Sequence, residues 1–456
     1  MRPARLPLAS LAIVTALACG SRTGLESPSG AAGSSSGGGS GGSGSSSGGV
    51  GIPQDPCPSA VSGPKPMFGN CSTRDGRSRV TAPTSPHVTW TAKLPTDSTG
   101  QVGLSAVSTD ASGNAYVVTT GEVDESTAAL RRVNGASGAI AWTTPIMPDE
   151  ETTTPIVLAS GGVDMFAYGK SYSDSVFTFD PATGSSTSTT FGFSLYYAPS
   201  NLAVGADGSL YVTHQDGVGT VKTTTYVSRV GPDSDVRWTS VDLATLGPTP
   251  QYNDGEISPS TIALGKDDLV VIFSYVLVKA GEVSVALAFD PATGAELWSQ
   301  AIDGEVVGGP VVRADGTIVA VIDGMNGTSS LVTLKPDSGA LTTLPLSMGV
   351  FQILAVTVDG VIIASADTGG SVMGLVALAE DGSVLWTSSA ERATIASDCT
   401  VITFDKTIQG LDGATGMVKW DLAPPAPSEC IMDAALTSAG GIVALQCDGT
   451  LFGASD

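Results

Sequence analysis

Short apolar runs separated by turn residues recur along most of the chain, and Val285–Trp298 (VALAFDPATGAELW) shows the unit most clearly. Its alternating apolar residues suit a half-buried strand. Asp290-Pro291-Ala292-Thr293-Gly294 then encodes a tight turn, because proline presets φ at the first turn position and glycine supplies the left-handed exit. A further strand ends in Trp298. Gly308–Leu344 extends the pattern to four strands: an inner strand, an Asp315-Gly316 hairpin turn, a second strand, a loop, a third strand, the Gly339 turn and a fourth. Asp-Gly turns recur at Asp207-Gly208 and Asp359-Gly360, where φ > 0 is needed. Their carboxylates are expected to serve the turns rather than a metal.

The chain has six tryptophans. Trp142, Trp298, Trp386 and Trp420 each stand four residues after a glycine (Gly138, Gly294, Gly382, Gly416). Gly184 and Gly339 fill gaps in the series, with Ser188 and Thr343 at the tryptophan position. Trp90 and Trp238 complete it, the latter with Ser234 in place of the turn glycine. The spacing runs from 34 to 60 residues, and several short strands per period are the signature of a β-propeller. After Trp420 only three strands remain before Asp456, which would leave a sheet edge unpaired. Val88–Leu94 has a tryptophan at the fourth-strand position and no strands before it. The expected fold is therefore all-β: an eight-bladed propeller of four-stranded antiparallel blades, the last closed by the N-terminal strand. Seven blades is the alternative if the short unit between Trp386 and Trp420 is not a full blade. The six tryptophans (Trp90, Trp142, Trp238, Trp298, Trp386, Trp420) are expected to dock one blade on the next.

Charge narrows the partners. A net charge of -23, with 21 Lys and Arg spread thinly, offers no basic patch for nucleic acid. It also disfavours anionic membrane surfaces as peripheral partners. Arg2 and Arg5 precede an apolar segment, Leu6–Ala18, too short to span a bilayer. It reads as a signal peptide over residues 1–18. Residues 21–51 are almost all Ser and Gly, which favours a flexible tether, and the linker is placed at 19–56. Cys57 and Cys71 bracket a Pro- and Gly-rich segment (57–85) in an exported chain, so a disulfide is expected between them. A second is expected between Cys430 and Cys447, at matching ends of two antiparallel strands, with Cys399 a buried free thiol.

The repeat resembles that of the PQQ-like β-propeller family, which ends in A-x-D-x-x-T-G-x-x-x-W. Ala288, Asp290, Thr293, Gly294 and Trp298 match every position, and the likeness covers about residues 86–456. PMFGNCSTRDGRS (66–78) resembles the segment preceding the first propeller strand in such proteins. Ala16-Leu17-Ala18-Cys19 resembles the lipobox of bacterial lipoproteins, with Leu17 two rather than three residues before the cysteine. That likeness implies lipidation at Cys19. Gly20, which is not the aspartate of inner-membrane retention, implies the outer membrane, with the domain facing the periplasm or the surface. A secreted soluble protein is the alternative. Within the family the likeness is closest to lipid-anchored members of the outer-membrane β-barrel assembly machinery.

The family includes quinoprotein dehydrogenases, whose quinone lies between a tryptophan and an adjacent-cysteine disulfide beside calcium. No two cysteines here are adjacent, the tryptophans have blade-end positions, and Cys-x-x-Cys-His for haem is absent. His87 and His214 are the only histidines, which excludes a three-histidine zinc site. No catalytic, cofactor-binding or metal residues are assigned, and no PQQ is expected. The expected protein is a non-catalytic, monomeric envelope lipoprotein that touches the membrane only through its lipid and scaffolds envelope proteins in outer-membrane assembly. A surface glycan-binding or adhesion module is one alternative, and a PQQ-dependent dehydrogenase another. The partner-binding candidates are Tyr196, Tyr197 and Tyr252 with Asp149, Glu150 and Glu151, in fourth-to-first-strand connections that open on one face of the ring.

Overall fold

The computed structural model describes residues 76–456 apart from 97–101, 103–104, 120–127, 147–149, 153, 170–174, 191–201, 217–223, 234, 247–256, 260, 279–280, 324–327, 369–372 and 426–429. The chain forms an eight-bladed β-propeller. Every blade is an antiparallel sheet in which consecutive strands pair in order. Blade 1 is Ser105–Thr109, Asn114–Thr119, Ala129–Asn134 and Ile140–Pro145. In blades 2 and 4 the inner strand is split in two, as Glu150–Thr152 with Ile156–Val157 and as Ile257–Pro259 with Ala263–Leu264. Blade 8 is Ile431–Leu436, Ile442–Gln446 and Thr450–Ser455, completed by His87–Lys93 from the other end of the sequence. The expected closure is observed.

The core is distributed around the ring. Eight clusters of buried apolar side chains each join one blade to the next, such as Tyr211, Trp238, Leu264 and Phe289 between blades 3 and 4. Strand alternation explains the arrangement: successive side chains point to opposite faces, and both faces of every blade are covered by a neighbour. Second strands therefore read as continuous apolar runs, Val319–Ile322 in blade 5 being buried throughout.

Candidate functional site

The motif residues do their work at the joints between blades. In the blade 4 turn, the Gly294 N–H donates to the Asp290 carbonyl at 2.8 Å, and the Asp290 carboxylate accepts the Ala292 N–H at 2.7 Å. Gly294 has φ +71°, and a Cβ there would lie 2.4 Å from the indole of Trp238 in blade 3. Glycine is thus required both for its backbone angle and for the ring laid over it. The Trp238 Nε1–H donates to the Pro291 carbonyl of the same turn at 2.9 Å. This contact repeats around the ring. Trp90 donates to Gly135, Trp142 to Pro181, Trp298 to Pro336 and Trp386 to Gly413, always in the following blade. Asp290 and the indoles are spent on the fold.

One backbone feature aims the indoles. In each of the six blades with a tryptophan the outer strand carries a β-bulge. Trp298 pairs with Ala288 while Glu296 pairs with Phe289, so Leu297 is skipped. Blades 2 and 5 keep an unbroken register there. Without the skipped residue, Thr343 pairs with Val332, which packs in the cluster with Trp298 of blade 4. Thr343 is therefore no substitute for a docking tryptophan. Leu344 and Leu346 cover the Gly382 turn of blade 6 instead. Ser188 likewise lies opposite Phe177, which packs toward blade 1.

Blades 1 and 3 reinforce the joint with residues that the repeat pattern did not single out. Arg132 donates to the Pro181 carbonyl beside Trp142, and Arg229 to the Pro291 carbonyl beside Trp238. Arg229 also holds Asp207 at 2.5 Å and lies over the Tyr211 ring. Tyr116 and Tyr211 are fully buried against Trp142 and Trp238, and burial pushes both phenols up, that of Tyr116 to about 12. The available signal was an arginine ten and nine residues before the tryptophan in these two repeats.

Blades 2 and 5 differ. Toward blade 3, blade 2 presents Asp164, paired across the sheet with Thr178. Asp164 is 6% exposed and burial pushes its carboxyl up to about 6. Between blades 5 and 6 an ion pair, Arg313–Glu380 at 2.7 Å, borders an open recess of about 350 Å³ that Asp315 and Asp359 also line.

At the seam the pattern breaks. Blade 8 has no turn between its third and fourth strands, because Thr450–Ser455 pairs with His87–Lys93 from the opposite side of the sequence. The buried Trp420 Nε1 consequently has no hydrogen-bond partner. In place of the turn, the Asp456 carboxylate accepts the backbone N–H groups of Ser85 at 2.7 Å and Thr84 at 2.9 Å. Those bonds hold its carboxyl below the usual range, with His87 adding a smaller electrostatic contribution.

Cys430 and Cys447 form a disulfide with Cα atoms 5.6 Å apart, as expected. Cys399 is not a free thiol. It is disulfide-bonded, with its partner outside the described residues. Cys399 sits at φ +60° in the blade 7 hairpin turn, and the incoming segment 76–80 pairs beside that turn. The spacing of the blade strands does not reveal that segment 76–80 runs beside the Cys399 turn. Cys19, Cys57 and Cys71 lie outside the described residues.

Of the partner-binding candidates, Tyr196, Tyr197, Tyr252 and Asp149 also lie outside the described residues. Glu150 and Glu151 fall on the split inner strand of blade 2, opposite Gly169 and Tyr168, rather than in a loop. His214 is buried and hydrogen-bonded to Ser228 at 2.8 Å, while His87 lies on the closing strand. Five of the six indoles dock on a neighbouring turn and the sixth is buried at the seam, and among the described residues no three His, Cys, Asp or Glu side chains are placed to hold a metal ion.

The family described as outer membrane protein assembly factor BamB matches residues 223–342 and, in a second register, 281–455. The chain belongs to this family. The two overlapping matches follow the repeat, since one blade can align with the next. Among curated proteins none matches in sequence. Solved structures share the fold. The quinohemoprotein alcohol dehydrogenase ADHIIG from Pseudomonas putida HK5 superposes with a TM-score of 0.57 at 11% identity, covering 87% of this chain and 82% of that one. A europium-containing methanol dehydrogenase gives 0.55 at 12% identity, over 84% and 89%. BamB from Moraxella catarrhalis gives 0.48 at 13% identity, over 81% and 100%.

Proposed function

We propose that this protein is a non-catalytic envelope lipoprotein, anchored through Cys19, whose propeller scaffolds other envelope proteins during outer-membrane assembly. The match of the BamB family from the third strand of blade 3 through blade 8 carries this reading. The disposition of the motif residues supports it: the aspartates, glycines and indoles of the repeat are engaged in turns and blade docking, which leaves the connections on the fourth-to-first-strand face as the proposed contact surface. The partners are proteins of the envelope. The acidic chain meets them through contacts that do not need a basic surface.

Affinity capture of the full chain from detergent-solubilised envelopes, followed by mass spectrometry, tests the proposal. Recovery of barrel-assembly components is expected. Retention of polysaccharide with no protein partner would replace the scaffold by a glycan-binding module. A bound quinone absorbance after incubation with PQQ and calcium would reinstate a dehydrogenase.

A further inference from the structure

One hairpin turn departs from the rule that most blades follow. Between first and second strands, a glycine takes the left-handed position in blades 1, 2, 3, 5, 6 and 8: Gly113, Gly161, Gly208, Gly316, Gly360 and Gly440, with φ from +78° to +88°. Blade 7 has Asp398-Cys399 instead. The Cys399 N–H makes the same turn bond, donating to the Ala396 carbonyl at 3.0 Å, and the residue sits at φ +60°. A side chain is disfavoured in that conformation. The cysteine is kept there at a backbone cost, and its sulfur is committed to a disulfide.

Cys430 and Cys447 bond to each other, which leaves Cys19, Cys57 and Cys71 as partners, all upstream of the propeller. The backbone arriving from that side is fastened beside the Cys399 turn. The Ile395 N–H donates to the Gly76 carbonyl at 3.1 Å, the Ser397 N–H to the Val80 carbonyl, and the Ala82 N–H to the Asp398 carboxylate at 3.4 Å. Gly76 is also pressed on Leu354 and Ala355 of blade 6, so the chain enters the ring at a fixed point. From Ile395, Cys399 is one strand residue and one hydrogen-bonded turn away, and the ends of such a turn lie within about 7 Å. Cys71 stands five residues before Gly76, a stretch that covers up to about 17 Å. Cys57 stands nineteen before it, and chain entropy makes closure of that longer tether roughly sevenfold less favourable. Cys19 lies farther still, beyond the Ser/Gly segment.

We propose that Cys71 is the partner of Cys399, and that this bond closes the propeller covalently. Blade 8 is shared between the two ends of the ring, where strand pairing makes the closure. A bond from Cys71, ahead of the closing strand, to Cys399 in blade 7 encloses that strand and blades 1–6 in one covalent loop. The Cys57–Cys71 bridge expected from spacing is then not formed. Making the bond removes two protons and two electrons from the thiols, taken up by the disulfide of an exported thiol oxidant, which leaves as a dithiol. This chemistry rests on the reading of an exported chain. With Cys19 lipidated, Cys57 is left as a thiol.

Peptide mapping of the full-length chain, alkylated and digested without reduction, tests the bond. A linked pair of peptides containing Cys71 and Cys399 is expected. Cys399 linked to Cys57 or Cys19, or Cys57 linked to Cys71, overturns it. The state of Cys57 reports separately on the anchor: a Cys19–Cys57 bond refutes the lipid and leaves Cys71–Cys399 standing. Urea unfolding gives an independent readout. Cys399→Gly installs the residue that six other turns use, so a cysteine held only by packing in its turn would lose little by the change. It should instead lower the folding constant on the order of a thousandfold, while Cys57→Ser leaves it unchanged. A Cys399→Gly chain as stable as wild type, or an equal loss in Cys57→Ser, overturns the proposal.

Discussion

At the scale of single residues, glycine and tryptophan act as one unit divided between two blades. Gly294→Ala would force a Cβ into the Trp238 ring and strain a left-handed backbone. It should cost about 2–4 kcal/mol in urea unfolding. The indole N–H can be separated from the ring by Trp→Phe, which keeps an aromatic and loses the donor. At Trp386 the change strands the buried Gly413 carbonyl, whereas at Trp420 it removes a buried donor with no partner. Trp420→Phe should therefore cost about 1–2 kcal/mol less than Trp386→Phe. The glycine–tryptophan spacing was legible in the sequence because both partners obey one local rule. Arg229 and Tyr211 were not, since their roles depend on what lies across the joint. Asp164 was hidden for the same reason: nothing along the chain tells a buried aspartate from an exposed one.

At the scale of strands, the bulge separates the six tryptophan-bearing blades from the other two. It inserts one residue on the outer strand, and that residue, Leu297 in blade 4, is 55% exposed. Leu297→Ser should change stability by less than about 0.5 kcal/mol. Deleting Leu297 should cost more, because it removes the kink from the outer strand, but Trp298 stays opposite Ala288 and keeps facing blade 5's Gly339. Comparing the two variants by urea unfolding checks this. Strand count, order and hairpin turns were readable from period and composition, since Asp-Gly and Asp-Pro-Ala-Thr-Gly specify their geometry locally. The bulge was not, because its spacing from the glycine is shared by Thr343, which has none. The bulges also kink six outer edges that would otherwise be open to pairing.

At the scale of the whole ring, stability depends on closure, and three devices secure it. The N-terminal strand pairs with Thr450–Ser455, Asp456 holds Thr84 and Ser85, and Cys430–Cys447 locks the first two strands of blade 8. Reducing that disulfide, whose cysteines are 17 residues apart, should cost about 3 kcal/mol. The Asp456 contribution should follow pH with the sign of a depressed carboxyl: present above the ordinary carboxylate range, and lost as pH falls through the depressed value. Asp456→Asn should abolish that dependence, measurable as the difference in urea midpoint from wild type between pH 6 and pH 2.5. The closing strand was foreseeable from an odd strand count. The stranded indole of Trp420 follows from the same closure and becomes visible only once the absent turn is placed beside it.

The route by which the chain reaches the seam has a mechanical meaning. Before forming the closing strand, residues 76–80 run parallel to the inner strand of blade 7, with Ser78 and Ile395 bonded at 2.6 Å and Ser397 and Val80 at 2.8 Å. Gly76 is wedged so tightly against Leu354 and Ala355 of blade 6 that a Cβ would lie 2.3 Å from a carbonyl. A pull applied upstream of Gly76 therefore meets this lateral purchase on blades 6 and 7 before any force reaches His87–Lys93. The ring is held by a cleat ahead of its knot, and its last blade is spared the load that its open-ended construction could least resist.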